Sequence, residues 1–409
     1  MQRAEILPLT ADRANGICTH AHRCITYGSR YADHMDWKQL REAMPVTRRW
    51  AFFDHAAVAP ITERARVAMN EYAADLAENG DVNERRWVDR VEEVRRLAGR
   101  VINADPLDVA FVKNTSEGIG IVAEGLPWQP GDNVVTAQEE YPANVYPWMN
   151  LQSRGVETRL VASRGPRLAI DDIRAAIDGR SRIVSLSFVE FASGFRNDID
   201  AIGALCRERG VLFFVDAIQG LGVLPLDVQR SPVDFLAADG HKWLLGPEGA
   251  GVFYIRRELV DRLRPVGIGW NSVVKARDFS RLDFHLKPHA GRWESGSLNL
   301  AGITGLGASL ALLLETGIEH ISARVLELTD YLCEQARVAG FEVFSSRAPG
   351  DRSSIVSLIV PGAEPRAVVK HCRAAGIVIN QRAGRVRVTP HCYNTHDEID
   401  RLIHTLKVG

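Results

Sequence analysis

Lysine is scarce in this chain of 409 residues: of 50 basic side chains 43 are arginine and only 7 are lysine, at positions 38, 113, 242, 275, 287, 370 and 407. A biased genome accounts for most of the skew, yet it makes each lysine conspicuous. Net charge is nearly absent as well, with 50 basic against 51 acidic residues. No global field therefore recruits nucleic acid or an anionic membrane. Six cysteines, at 18, 24, 206, 333, 372 and 392, are too sparse and scattered for a secreted disulfide scaffold. They point to a reducing, cytoplasmic setting. The first 34 residues contain no apolar core segment, so no cleavable signal of the usual kind is expected. The longest uncharged run, Ser295 to Leu314, carries four Gly, three Ser, an Asn and a Thr. That composition predicts a turn and a buried helix rather than a membrane span. Internal repeats and low-complexity stretches are missing too.

What is present divides into segments. Residues 1–34 have no clear period and read as an extension preceding Met35. They contain Cys18-x-His20-x-His22-x-Cys24, four potential zinc ligands in a spacing that suits tetrahedral closure poorly. "MDWKQLREAMP" from Met35 is an amphipathic helical pattern ended by Pro45. From about residue 50, apolar runs alternate with helical patterns. Strands are expected at 108–114, 133–137, 182–189, 211–217, 234–239 and 250–257, with helices such as 170–177 and 198–210 between them. Buried runs rich in Val, Ile and Phe with helix-length connections predict an α/β fold, its mainly parallel sheet covered on both faces. The last hundred residues read as a smaller α+β unit. The expected division is 35–55 as a helix joining the small domain, 56–295 as the large domain and 296–409 as the small one.

Ligands of open α/β sheets bind beyond the carboxyl ends of the strands, and three strand ends carry chemistry. "KNTSEGIG" brings Thr115 and Ser116 to a helix N-terminus, a phosphate cradle. "FFVDAIQG" delivers Asp216 from an apolar run, with Gln219 one turn on; such a carboxylate needs a hydrogen-bond partner or a cation. "ADGHKWLLGPEGAG" places His241 and Lys242 between a strand and a Gly-rich loop, where burial lowers an amine's pKa toward nucleophilicity. Each has an ordinary structural explanation. Together they supply the phosphate anchor, pyridinium partner and imine-forming amine that pyridoxal 5′-phosphate (PLP) requires. A rival pattern, Gly118-x-Gly120-x-x-Ala123 followed by Glu139 and Glu140, matches a nicotinamide-dinucleotide fingerprint. It leaves Lys242 and Asp216 unexplained.

From about residue 50 onward the chain resembles the class V aminotransferase and cysteine desulfurase family of fold-type I PLP enzymes. The resemblance is carried by "FFDHAAVAP", "NTSEGI", "EEYPANVYPW", "VDAIQ", "GHKWLLGPEGAG", "WESGSLN" and "RVRVTPHCYNTHDEID", in that order. It implies Lys242 as the amine that forms the imine, and Asp216 and Gln219 on the pyridine nitrogen and ring hydroxyl. It implies Thr115, Ser116 and His241 at the phosphate, joined by Ser297 from the second subunit of a homodimer. Tyr141 falls where a histidine usually stacks on the ring, and Arg387 where an arginine grips the substrate carboxylate. His55, Phe188, Glu190 and Phe191 fall in the substrate pocket.

Departures from the family pattern bear on the reaction. "GIVINQRAGRVRVTPH" is too short for the desulfurase loop that carries the sulfur-accepting cysteine, and it contains none. Cys372 and Cys392 lie elsewhere. The pocket segment "FVEF" replaces polar groups with Phe188 and Phe191, and Asp239 stands where a serine precedes the histidine. The resemblance implies chemistry at the Cα of an amino acid, most simply transamination or C–S β-elimination. Desulfuration and epimerisation are the alternatives within the family, and a nicotinamide-dependent oxidoreductase is the remote one.

Overall fold

The computed structural model describes residues 35–408. The Cys18–Cys24 set and the expected extension lie outside the described residues. Seven strands form the main sheet: β1 (Val109–Val112), β2 (Asn133–Ala137), β3 (Glu157–Val161), β4 (Ser181–Ser187), β5 (Leu212–Asp216), β6 (Phe235–Asp239) and β7 (Gly251–Ile255). Their order is β1-β7-β6-β5-β4-β2-β3. Only β7 runs against the others, pairing antiparallel with both β1 and β6. The two faces of the sheet are legible in adjacent residues. Phe213 packs into one apolar cluster and Phe214 into another, and Val135 and Val134 divide in the same way. A strand turns successive side chains to opposite faces, so these runs are apolar throughout because both faces are covered.

Helices α1 (Trp37–Glu42), α2 (Glu63–Asn79), α3 (Glu84–Ile102), α4 (Thr115–Gly125) and α5 (Ile199–Arg209) precede or link the strands. Along α3 the buried residues Trp87, Val91, Val94, Ala98 and Val101 recur every three or four positions, the stripe of a half-buried helix. The uncharged run becomes α6 (Leu300–Thr316), buried along most of its length. It approaches α2 and α3 closely: a Cβ on Gly305 would meet Met69 Cγ at 2.7 Å, and one on Gly307 would meet Val94 Cγ2 at 2.3 Å. Among the described residues no single helix is long and apolar enough to cross a membrane.

After α6 the chain bends at Gly317 into α7 (Ile318–Val338). A second, antiparallel sheet follows, built from β8 (Glu342–Val343), β9 (Val356–Ile359), β10 (Asn380–Arg382) and β11 (Arg385–Val388) in the order β10-β11-β9-β8. Helices α8 (Pro365–Ala374) and α9 (His396–Val408) accompany it. Ile318, Ile321 and Val325 of α7 belong to the core of the main sheet, whereas Leu328 and Leu332 belong to that of the second sheet. We therefore propose that the two units divide inside α7, not at 295/296, because α6 packs with the large core. Ala51–Phe52 also pairs in parallel with Ile377–Val378, tying the start of the fold to the small unit.

Candidate active site

The strand β1 passes into α4 through Asn114, whose side chain accepts the Glu117 amide at 2.9 Å. Glu117 in turn accepts the Lys113 amide at 2.6 Å, tying the residue before the cap to the first turn of the helix. The first amides of α4, at Thr115 and Ser116, have no intrahelical acceptor and carry the positive end of the helix dipole. Gly118 serves packing: a Cβ there would meet Ala237 Cβ at 2.6 Å. The helix lies that close to β6, and Glu140 is spent on the Ser187 amide and hydroxyl, both at 2.5 Å. Gly118, Gly120 and Ala123 all lie inside α4 and not in the turn before it, so they do not form the glycine-rich turn of a dinucleotide site.

At the end of β5, Asp216 is 1% exposed and accepts the Ile218 amide at 3.1 Å. Burial raises its pKa to about 6, against the pull of that amide and of Lys242. Gln219 is held at both ends. Its Oε1 accepts the Trp243 indole N–H at 3.1 Å, and its Nε2 donates to the Ala56 carbonyl at 3.0 Å. An indole can only donate, so the amide's orientation is set and one Nε2 proton remains for a ligand.

At the end of β6, Asp239 turns its carboxylate onto its own neighbours. One oxygen accepts the Gly240 amide at 2.7 Å, and the other lies 2.9 Å from His241 Nδ1. The Asp239 amide donates to Thr115 Oγ1 at 3.1 Å, joining two of the three strand ends. Lys242 is 8% exposed, with Nζ 5.5 Å from the centroid of the Tyr141 ring. Burial lowers its pKa to about 8, more than the Asp216 carboxylate raises it. The turn that carries it includes Leu245 at φ +54°, a left-handed backbone held by the Ser309 hydroxyl on its carbonyl.

The opposite wall comes from the second sheet. Arg387 on β11 is 1% exposed, donating from Nη1 to the Phe191 carbonyl at 2.9 Å and from Nη2 to Asp54 at 3.3 Å. Burial lowers its pKa to about 10. Arg385, two residues earlier, lies over the Phe344 ring instead. Asp54 also accepts from Asn380 Nδ2 at 2.7 Å. Phe191 meets Tyr141 edge to face, with centroids 5.3 Å apart.

These groups enclose a cleft of about 340 Å³, within the size range of cofactor sites. It brings together Thr115, Ser116, Tyr141, Phe191, Asp216, Gln219, His241, Lys242 and Arg387 of the residues expected from the sequence. Four expected residues do not line it. Phe188 is packed under Gly220, where a Cβ would sit 2.2 Å from its ring. Glu190 is buried against Asn197 at 2.8 Å, and burial pushes its carboxyl pKa up. His55 is fully buried between the Thr389 carbonyl (2.8 Å) and the Tyr393 hydroxyl (2.6 Å). The carbonyl needs a donor, so Nδ1 carries the proton and Nε2 accepts; burial lowers the ring's pKa to about 4 and keeps it neutral. These three placements correct the pocket expected from the sequence. Ser297 is exposed and away from its own cleft. The sequence reading missed Asp54, Asn380 and Arg382. The only signal for Arg382 was a charged residue beside the Ala-Gly turn at 383–384.

A larger cleft of about 730 Å³ shares none of this lining. Of its four arginines, Arg164, Arg167 and Arg230 face Asp172, Asp351 and Asp200 and Arg196 lies over the Phe188 ring, and it contains no lysine. The chemistry therefore belongs to the smaller cleft.

PLP fits that cleft. The buried Asp216 carboxylate has a single hydrogen-bond donor of its own, the Lys242 amine is poised near neutrality, and the α4 amides await an anion. A cofactor with an aldehyde, a basic ring nitrogen and a phosphate uses all three strand ends at once, and the chain is a fold-type I PLP-dependent enzyme. The model of the aminotransferase class V family matches residues 51–402, and the chain belongs to that family. A probable cysteine desulfurase of Methanothermobacter thermautotrophicus is 31% identical over 396 residues, covering 91% of this chain and 98% of that protein. The apo cysteine desulfurase of Thermococcus onnurineus superposes with a TM-score of 0.83 at 25% identity, covering 90% of this chain and 97% of that one. A cystine C–S lyase in complex with cysteine persulfide has the same fold, with a TM-score of 0.83 at 23% identity over 89% of this chain and 99% of that one.

Proposed function

We propose that this enzyme removes the Cα proton of an amino acid and completes amino transfer or C–S β-elimination, without a persulfide on any cysteine among the described residues. One observation carries the second half of that reading. The β10–β11 connection is a two-residue turn, Ala383–Gly384, with φ of 48° and 73°. Among the described residues no cysteine lines the cleft, and Cys206, Cys333, Cys372 and Cys392 are all buried thiols whose pKa burial raises. A thiol must be exposed and ionised to attack sulfur. The desulfurase and C–S lyase relatives favour a sulfur amino acid as the first substrate to try.

When bound, PLP supplies an electron sink for the charge that develops at Cα. Lys242 Nζ accepts the Cα proton, for which a pKa near 8 suits it. Asp216 would keep a proton on the ring nitrogen, and the free Nε2 proton of Gln219 would meet the ring hydroxyl. The Tyr141 face would pack on the ring, and Arg387 would take the substrate carboxylate. Thr115, Ser116 and His241 would hold the phosphate, with an Asp239 carboxylate oxygen 2.9 Å from His241 Nδ1. Ser297 completes that anchor from a second copy of the chain. In support, Trp270, Phe279, Leu282 and Phe284 leave large apolar surfaces exposed in the segment that leads to it. The free thiols fit a cytoplasmic setting.

The purified protein should absorb in the visible, bleach with borohydride, and lose both properties in Lys242→Ala. A colourless wild type that PLP cannot reconstitute would refute the reading. Keto acid, pyruvate, sulfide and inverted substrate, assayed separately on a panel of amino acids, then distinguish the outcomes.

A further inference from the structure

Arg382 lines the cleft together with Arg387. It ends β10 and pairs with Arg385 across the Ala383–Gly384 turn, so the tight hairpin fixes the base of its side chain. Its Nη1 donates to Asn380 Oδ1 at 2.9 Å and to the Gln381 carbonyl at 2.8 Å. Asn380 in turn donates to Asp54, and Asp54 meets Arg387. The two guanidinium groups are thus positioned by one continuous network. Arg387 has an ion-pair partner in Asp54; Arg382 has none among the described residues. Its Nε and Nη2 are left unspent, a fork suited to a planar anion.

The charge around the cleft is uneven. Asp216 and Asp239 face Lys242 and His241 on the wall built from the main sheet. Glu248, the other acid at the cleft, is exposed in the loop after Lys242. The wall from the small unit sets two guanidinium groups against the single carboxylate of Asp54. An α-carboxylate on Arg387 leaves Arg382 unanswered.

We infer that Arg382 is a second anion-binding arm of the substrate cleft, and that the preferred amino acid carries an acidic group on its side chain. This deepens the amino-acid reading above and rests on it. The acid is a carboxylate or a sulfinate; either matches the fork.

The test uses the PLP-loaded enzyme. First, kcat/KM is compared for aspartate, glutamate and cysteine sulfinate against asparagine, glutamine and cysteine. Second, the unreactive anions succinate and butyrate are titrated against the visible band. Wild type should favour the acidic member of each set, and Arg382→Gln should lose about 10- to 150-fold on acidic ligands, the range for a charge-assisted hydrogen bond. Neutral substrates and butyrate should be nearly unaffected. Equal losses on acidic and neutral ligands would make Arg382 a partner of the α-carboxylate, and no loss would remove it from recognition; either overturns the inference. An intact visible band in Arg382→Gln separates these results from misfolding. A wild type without that band would refute the PLP reading itself, whereas a band without acid preference refutes only the role of Arg382.

Discussion

Lys242 shows how one side chain acquires its chemistry from position. An exposed lysine near its ordinary value of 10.5 is almost wholly protonated at neutral pH, and burial lowers this one to about 8. Only the unprotonated amine attacks an aldehyde. Reconstitution of the apoprotein with PLP, followed by stopped-flow absorbance, should therefore quicken about tenfold per pH unit up to about 8 and then level off. A profile still rising at pH 10 would contradict the burial effect. The same shift acts on stability. Between about 8 and 10.5 the unfolded lysine holds a proton that the folded one has lost, so this group's contribution makes stability rise with pH there. The strand-end residues were legible because each ended an apolar run. The neighbours that tune them were not: Asp54 meets Arg387 across 333 positions of sequence, and no local pattern announces such a pair.

Whole elements were legible where burial made them uniform. The six apolar runs expected as strands all appear in the main sheet, because a strand covered on both faces has little choice of composition. Missing from the expectation was Glu157–Val161, an edge strand in the sequence ETRLV whose first four residues are partly or fully exposed. Half-solvated edges tolerate charge, so nothing in its composition marks it. The long uncharged run was read correctly as a buried helix, but its glycines have a use the sequence did not reveal. In α6, Gly307 faces Val94 of α3 at a distance no Cβ can share. Ala at that position gains about 0.5–1 kcal/mol of helix preference. Against it stands overpacking of about 1–3 kcal/mol, with Val94 too stiff at χ1 to step aside. Gly307→Ala should thus lower stability by about 1–2 kcal/mol in urea unfolding; a stabilised variant would mean the helices separate without cost.

At the scale of the whole molecule, a buried ion pair holds the segment before Ser297 in place. Arg95 and Glu294 form a buried ion pair, Nη2 to Oε2 at 2.9 Å, and Glu294 also accepts the Phe111 amide at 2.8 Å. That pins the "WESGS" stretch to β1 just before Ser297 emerges. A site shared between copies can be tested by mixing two defective variants, Lys242→Ala and Ser297→Glu, which separately should be inactive and weakly cofactor-binding. Random reassortment makes about half the dimers hybrid, each with one intact site, so about a quarter of wild-type activity should return. No recovery would place Ser297 outside its partner's site. The helix α7 sets a further condition on how such a site can work. Its 21 residues extend about 31 Å, with one end embedded in each core. A loop joining the two units would act as a free hinge; a continuous helix does not. The wall that carries Arg382 and Arg387 is thus tied to the main-sheet core through the length of α7, and relative movement of the two walls of the cleft is resisted by a helix packed at both ends.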